Sequence, residues 1–92
     1  MSDGKDGGFY FLRPCRGSVG FVANPKKNVQ LDLKECARKL EESGYKVVDA
    51  HVMLIAQNDI ELTVYKSGKI LARTDDDEAA MAAIERAYEI LL

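Results

Sequence analysis

Hydrophobic and polar positions alternate most regularly in residues 60–73. Ile60, Leu62 and Val64 alternate with more polar neighbours, and this two-residue period is typical of a strand with one apolar face. A second short strand follows over residues 70–73, and Gly68 supplies the positive φ that a tight turn needs. The pattern therefore predicts a β-hairpin.

Two registers of this hairpin fit the turn. A two-residue loop would place Arg73 beside Leu62 on the apolar face. A three-residue loop over residues 67–69 opposes Val64 to Ala72 and keeps Arg73 on the other face. We favour the second register, because an unpaired buried guanidinium is costly.

Two helices are predicted, one before and one after the central strands in the sequence. Asp32 begins the first, which has an apolar stripe and ends near Gly44. Thr74 or Asp75 caps the second, which follows the hairpin. The apolar stripes are Leu33, Cys36, Ala37 and Leu40 in the first helix and Ala80, Ile84, Ala87 and Leu91 in the second.

The remaining strands are predicted upstream of the hairpin. Residues 9–13 and 19–23 form a hairpin, or only the second run joins the sheet. Residues 45–57 are too long for one strand and either form two or bend near residues 49–51. A turn at Asn58 and Asp59 opposes Ile55 to Leu62. Met53 and Ile55 then join the core, and Val52, Leu54 and Ala56 take the opposite face.

Together these elements predict an α+β fold. We expect a curved antiparallel sheet of four to six strands with two helices packed on one face. Residues 1–8 are rich in Gly and Asp and are predicted to be a flexible N-terminal tail, with residues 9–92 forming a single domain. The other face of the sheet would be open.

Charge and composition limit the classes of partner that this chain is expected to bind. The net charge of −2, from 13 basic and 15 acidic residues, argues against nucleic-acid binding through bulk charge but leaves a local basic patch open. No apolar run approaches a membrane span and nothing resembles a signal peptide, so no membrane partner is expected. Cys15 and Cys36 lie far apart without metal-ligand spacing. A cytoplasmic protein without a cofactor fits these features best.

Candidate chemistry is sparse. His51 is the one histidine, and no nucleophile with a base can be placed, so we predict no catalytic residues and no enzyme. Four consecutive acids, Asp75, Asp76, Asp77 and Glu78, either cap the second helix or coordinate a divalent cation. Capping is favoured, because consecutive carboxylates entering a helix point in different directions.

The run from Tyr65 to Leu71, an aromatic-x-Ser-Gly-Lys turn followed by an acidic helix start, resembles one repeat of the TATA-box-binding protein family. The similarity covers about residues 19–91. It implies that fold, with Tyr65 at the position of a Phe that wedges between base pairs and Leu71 at that of a Val on the concave DNA-binding face. This chain has one repeat where the family has two, and Glu61 and Arg73 replace concave-face threonines. Residues 48–50 also lack the family's Phe-Pro-Gly.

These observations predict a small non-enzymatic interaction module. Its open sheet face would bind a protein partner or a second copy of itself, since large exposed apolar patches usually mark interaction sites. One alternative is nucleic-acid binding, by minor-groove or shape reading, as a dimeric saddle. Another is divalent-cation binding at the acidic helix start. The predicted binding residues are Val52, Leu54, Glu61, Thr63, Tyr65, Leu71 and Arg73.

Overall fold

The computed structural model describes residues 5–6, 10–14 and 19–92. These residues form one antiparallel sheet and two helices, which confirms the predicted α+β class. In chain order the elements are β1 (Lys5–Asp6), β2 (Tyr10–Pro14), β3 (Phe21–Pro25), α1 (Leu33–Glu42), β4 (Lys46–Asp49), β5 (Met53–Gln57), β6 (Glu61–Tyr65), β7 (Ile70–Ala72) and α2 (Asp77–Leu91).

The strands lie in the order β1-β2-β3-β7-β6-β5-β4, and each neighbouring pair is antiparallel. The predicted hairpin of β2 and β3 is confirmed, and both strands extend the sheet sideways instead of covering it. Most of the predicted tail over residues 1–8 lies outside the described residues. Within it, the backbone of Lys5–Asp6 pairs with β2 at the edge.

Helix α1 begins as predicted. The Asp32 side chain accepts hydrogen bonds from the backbone N–H groups of Lys34 and Glu35, at 3.0 and 3.4 Å, and so satisfies donors that the first helical turn leaves open. Gly44, at φ 98°, follows the end of the helix. Cys36 and Leu40 are buried against the sheet.

Helix α2 begins later than predicted. Its N-cap is Asp76, whose side chain accepts from the backbone N–H groups of Glu78 and Ala79, so the proposed caps Thr74 and Asp75 were wrong. Thr74 instead accepts a hydrogen bond from the N–H of Asp76 at 3.2 Å. The predicted apolar stripe is confirmed: Ala80, Ile84, Ala87 and Leu91 are all buried.

Both helices pack on one face of the sheet. Their buried side chains meet a layer of strand residues that are at most 1% exposed: Tyr10, Leu12, Ala23, Leu54, Ala56, Leu62, Val64, Ile70 and Ala72. Tyr88 of α2 donates a hydrogen bond to the Gly68 carbonyl at 2.6 Å, and its ring lies 5.5 Å from that of Tyr10. The core is therefore a single layer between sheet and helices.

The β6–β7 turn keeps the predicted faces but not the predicted register. Val64 opposes Ile70 and Leu62 opposes Ala72, so the three-residue loop is residues 66–68, one position earlier than expected. The Tyr65 N–H donates to the Lys69 carbonyl at 2.9 Å, and Gly68 takes φ 90° as the last loop residue. Arg73 consequently lies opposite Glu61, away from Leu62.

The β5–β6 register was predicted wrongly. Gln57 opposes Glu61, so the connecting loop contains three residues and not two, and Ile55 opposes Thr63 instead of Leu62. A one-residue slip moves every side chain of a strand to the other face. Leu54 and Ala56 therefore belong to the core, while Met53 and Ile55 lie on the opposite face. Of the two alternatives predicted for residues 45–57, two strands are confirmed: β4 and β5 pair antiparallel, and His51 in the connection between them has φ 70°.

Candidate binding surface

The sheet face opposite the helices is uncovered by any described element. We call it the open face. Strand alternation and register place on it Phe11, Arg13, Val22, Asn24, Lys46, Val48, Met53, Ile55, Gln57, Glu61, Thr63, Tyr65, Lys69, Leu71 and Arg73. These side chains come from six strands, β2 to β7, and from residues flanking β7.

An apolar row crosses the middle of the open face. Directly opposed residues on neighbouring strands are Val22, Leu71, Thr63, Ile55 and Val48, in that spatial order. Thr63, at the centre of the row, is only 9% exposed although no described element covers it. Val48, at the sheet's edge, is 60% exposed. The row thus consists of four apolar residues around one buried threonine, and it ends at an accessible valine.

A second row contains the aromatic residues. Phe11 and Tyr65 lie on the open face with a lysine ammonium over each ring. The Lys26 nitrogen is 4.9 Å from the ring centroid of Phe11, and the Lys69 nitrogen is 4.4 Å from that of Tyr65. Phe11 is 47% exposed. Aromatic surface and positive charge therefore occur together on this face.

The charge of the open face differs in sign from that of the whole chain, which is net −2. Within β2 to β7, Glu61 is the one acidic side chain placed on this face, and the guanidinium of Arg73 lies 3.7 Å from it. The basic side chains on or over the face are Arg13, Lys26, Lys46, Lys69 and Arg73. The open face is therefore locally basic.

The structure brings five of the seven predicted binding residues together. Glu61, Thr63, Tyr65, Leu71 and Arg73 share the open face. Leu54 does not: it is 0% exposed beneath the helices, since the β5–β6 loop is one residue longer than predicted. Val52, 69% exposed, lies in the bend before β5 and outside the strands.

Sequence reasoning missed Val48, Met53, Ile55, Phe11 and Val22 as members of this face. The signal for Met53 and Ile55 was the alternation of side chains along β5. Combined with a three-residue loop between β5 and β6, that alternation predicts both residues on the open face. Phe11 and Val22 join the face only because β3 pairs with β7 and β2 pairs with β3, and nothing in the sequence gives that strand order.

In the described part of the chain, the acids at the start of α2 are not grouped as metal ligands. Asp76 uses its side chain to cap α2, and no group of three or more His, Cys, Asp or Glu residues within the described ranges is arranged to hold an ion. The acidic run is explained by capping and by the positive helix N-terminus.

A groove of about 640 Å³ lies where α1 begins, lined in part by His51 and Lys66. The carboxylates of Asp32 and Asp49 line it as well, and Asp32 is occupied in capping α1. Elsewhere, burial raises the pKa of the Cys36 thiol, which lowers its fraction of reactive thiolate. Neither feature assembles a nucleophile with a base.

Comparison of the chain with family models, curated proteins and solved structures finds no match. The resemblance to the TATA-box-binding protein family therefore depends on the sequence features given above. Among the described residues, no helix has the length and apolar character needed to cross a bilayer.

Proposed function

We propose that this protein is a small non-enzymatic interaction module whose open face binds a partner protein with an acidic, partly apolar surface. The observation that carries the proposal is the apolar row across a sheet face that no described element covers. Soluble domains seldom leave contiguous apolar surface exposed unless it meets a partner.

The charge of the face specifies the partner's chemistry. Among the side chains of β2 to β7 and those that lie over them, five basic groups and one carboxylate flank the apolar row, and that carboxylate is already close to Arg73. An acidic partner would pair with Arg13, Lys46 and Lys69 around an apolar centre, the usual arrangement of a protein interface. Two open faces pressed together would instead oppose like charges, so the charge pattern disfavours face-to-face self-association.

Reversal of charge at the centre of the face tests this proposal. A Tyr65→Glu, Lys69→Glu double variant replaces the stacked pair by two carboxylates at solvent-accessible positions. Affinity capture from an extract of the source cells, followed by mass spectrometry, should recover one or more acidic proteins with the wild type and lose them with the variant. A recovered partner should then bind the purified wild type in calorimetry.

The matched control is Arg86→Glu, which reverses an exposed charge on α2, on the far side of the molecule. It should leave capture unchanged. Equal recovery by all three proteins, or recovery lost only with the α2 control, would contradict the assignment of the open face.

Nucleic-acid binding is the second candidate, and the locally basic face with two aromatic rings favours it. Phe11 and Tyr65 could stack on bases while the surrounding cations meet phosphates. The resemblance to a family that uses such a face on DNA points the same way. Against it stand the net charge of −2 and the carboxylate of Glu61, which offers no donor to minor-groove acceptors.

Fluorescence polarisation decides between the two candidates. Labelled duplex and single-stranded oligonucleotides are titrated at low salt, where phosphate contacts are strongest. Binding that weakens steeply with salt and is lost in Tyr65→Ala would establish the second candidate. Flat polarisation at micromolar protein concentrations would remove it and leave the protein partner.

A further inference from the structure

The outer edge of β4 is an unpaired strand edge. Strand β4 ends the sheet and, among the described residues, pairs with β5 alone. The Ala50 N–H donates to the Met53 carbonyl at 2.9 Å, so residues 46, 48 and 50 direct their peptide groups toward β5. The peptide groups of Val47 and Asp49 consequently point away from the sheet.

The donors that flank these two residues on the outward side are already used. The Tyr45 N–H donates to the Leu40 carbonyl at 3.0 Å. The His51 N–H donates to the Asp49 carboxylate at 2.8 Å. Val47 and Asp49 therefore hold the outward N–H groups that are left for pairing on this part of the described chain.

We propose that β4 pairs antiparallel with β4 of a second copy about a two-fold axis at Val48. In this register Val47 opposes Asp49 of the second copy, and the two residues exchange both backbone hydrogen bonds. The same exchange occurs on the other side of the axis. The strand is thus complementary to itself at the residues whose donors are free.

Other two-fold registers leave groups unpaired or oppose charges. An axis at Val47 would oppose Asp49 to Tyr45, whose N–H is already bonded within its own chain. An axis at Asp49 would place two carboxylates opposite each other and would oppose Val47 to His51, whose N–H is also occupied. The axis at Val48 avoids both costs.

Side chains support the same register. Val48 is 60% exposed and ends the apolar row, so pairing at Val48 joins the rows of two copies into one strip. Contact between two open faces would bring like charges together, whereas contact between two β4 strands does not. Strand β4 carries one lysine and one aspartate, and α1, which packs on β4, carries three basic and three acidic residues.

Sedimentation equilibrium of the purified chain tests the proposal first. The mass should rise with concentration from 10.2 kDa toward twice that value and stop there. Val48→Lys places two like charges at the axis and should weaken dimerisation at least about tenfold. The control Asn28→Lys adds the same charge at an exposed loop position and should not change it.

Disulfide trapping tests the register directly. In a Cys15→Ser background, Val48→Cys should oxidise to a covalent dimer, because opposed residues of a non-hydrogen-bonded pair bring their Cβ atoms within disulfide reach. Oxidation should be at least about tenfold faster than for Asn28→Cys, since pairing raises the local thiol concentration. Cys36 is buried and contributes no background.

Three results would overturn the proposal: a monomer at millimolar concentration, a mass that grows past the dimer, or equal oxidation of the two cysteine variants. Growth past the dimer would indicate pairing of unlike edges, which cannot close. These measurements use the purified chain alone. If they show no dimer, the proposal of a partner at the open face is unaffected. If the open face captures no partner, the proposal of a dimer through β4 is unaffected.

Discussion

The two faces of this sheet differ in what surrounds them, although the same strands build both. On the covered face Leu54, Leu62 and Val64 are at most 1% exposed and meet helix side chains. On the open face Ile55, Thr63 and Tyr65 alternate with them along β5 and β6, and no described element packs over these three. We therefore expect the covered face to contribute most of the stability, and we propose that the open face serves binding.

Adjacent residues of β5 give the sharpest test of that difference. Leu54→Ala should reduce the free energy of unfolding by about 3 kcal/mol, because it removes buried methylenes and leaves a cavity under the helices. Ile55→Ala, one residue on, should cost about 1 kcal/mol, since its side chain is only partly buried. Urea denaturation of both variants measures the difference, and equal losses would contradict the assignment of faces.

The turn between β6 and β7 offers a second test on the covered side. A Cβ at Gly68 would lie 2.8 Å from Cγ of Pro25, and φ is 90° there. Gly44 has φ 98° with nothing within 4 Å of a Cβ. We expect Gly68→Ala to cost about 3 kcal/mol and Gly44→Ala about 1 kcal/mol. Thermal unfolding of the pair separates steric contact from backbone strain, and similar losses would show that only strain matters.

Tyr10 adds a smaller, pH-dependent contribution on the covered face. Burial, with the nearby Glu85 carboxylate, raises the Tyr10 pKa from 10.0 to about 12, and its hydroxyl donates to that carboxylate at 3.1 Å. The unfolded state then loses this proton first, so the free energy of unfolding should fall as pH rises from about 10 to 12.

Tyr10→Phe should lower stability near neutral pH by about 1 kcal/mol and should flatten this alkaline loss. Unfolding midpoints at pH 8 and pH 11 for the wild type and the variant measure both effects. An identical alkaline loss in the variant would assign the proton to another group. Tyr88, whose pKa is also raised by burial, is the next residue to substitute in that case.

How far the sequence predicts this structure depends on the kind of information needed. Helix α1 and the buried stripe of α2 follow from local caps and periodicity, and so do the faces of β6 and β7. The faces of β5 could not be predicted in this way. Ile60 continues the strand pattern yet lies in the loop, and one extra loop residue moves every side chain of a strand to the other face of the sheet.

To predict which residues make up the open face, the order of the strands in the sheet is needed as well. Its basic character depends on Arg13 and Lys26 lying beside the central strands, and that placement follows from a strand order which alternation does not encode. Likewise, any of four successive acids suits the start of α2, so the sequence located the cap only to within two residues. Contacts between segments distant in sequence decide both features.

The smallest expected effect on stability comes from the open face. Arg73 and Glu61 approach to 3.7 Å, and the Arg73 side chain is 70% exposed. Such exposed pairs contribute little, so Arg73→Ala should change the free energy of unfolding by no more than about 0.5 kcal/mol. If the open face binds an acidic partner, the same change should still weaken binding measurably, because it removes a cation and leaves Glu61 uncompensated. Calorimetric titration of the partner alongside urea denaturation tests both statements. A variant that loses stability but keeps its affinity would show that this pair holds strands together and takes no part in recognition.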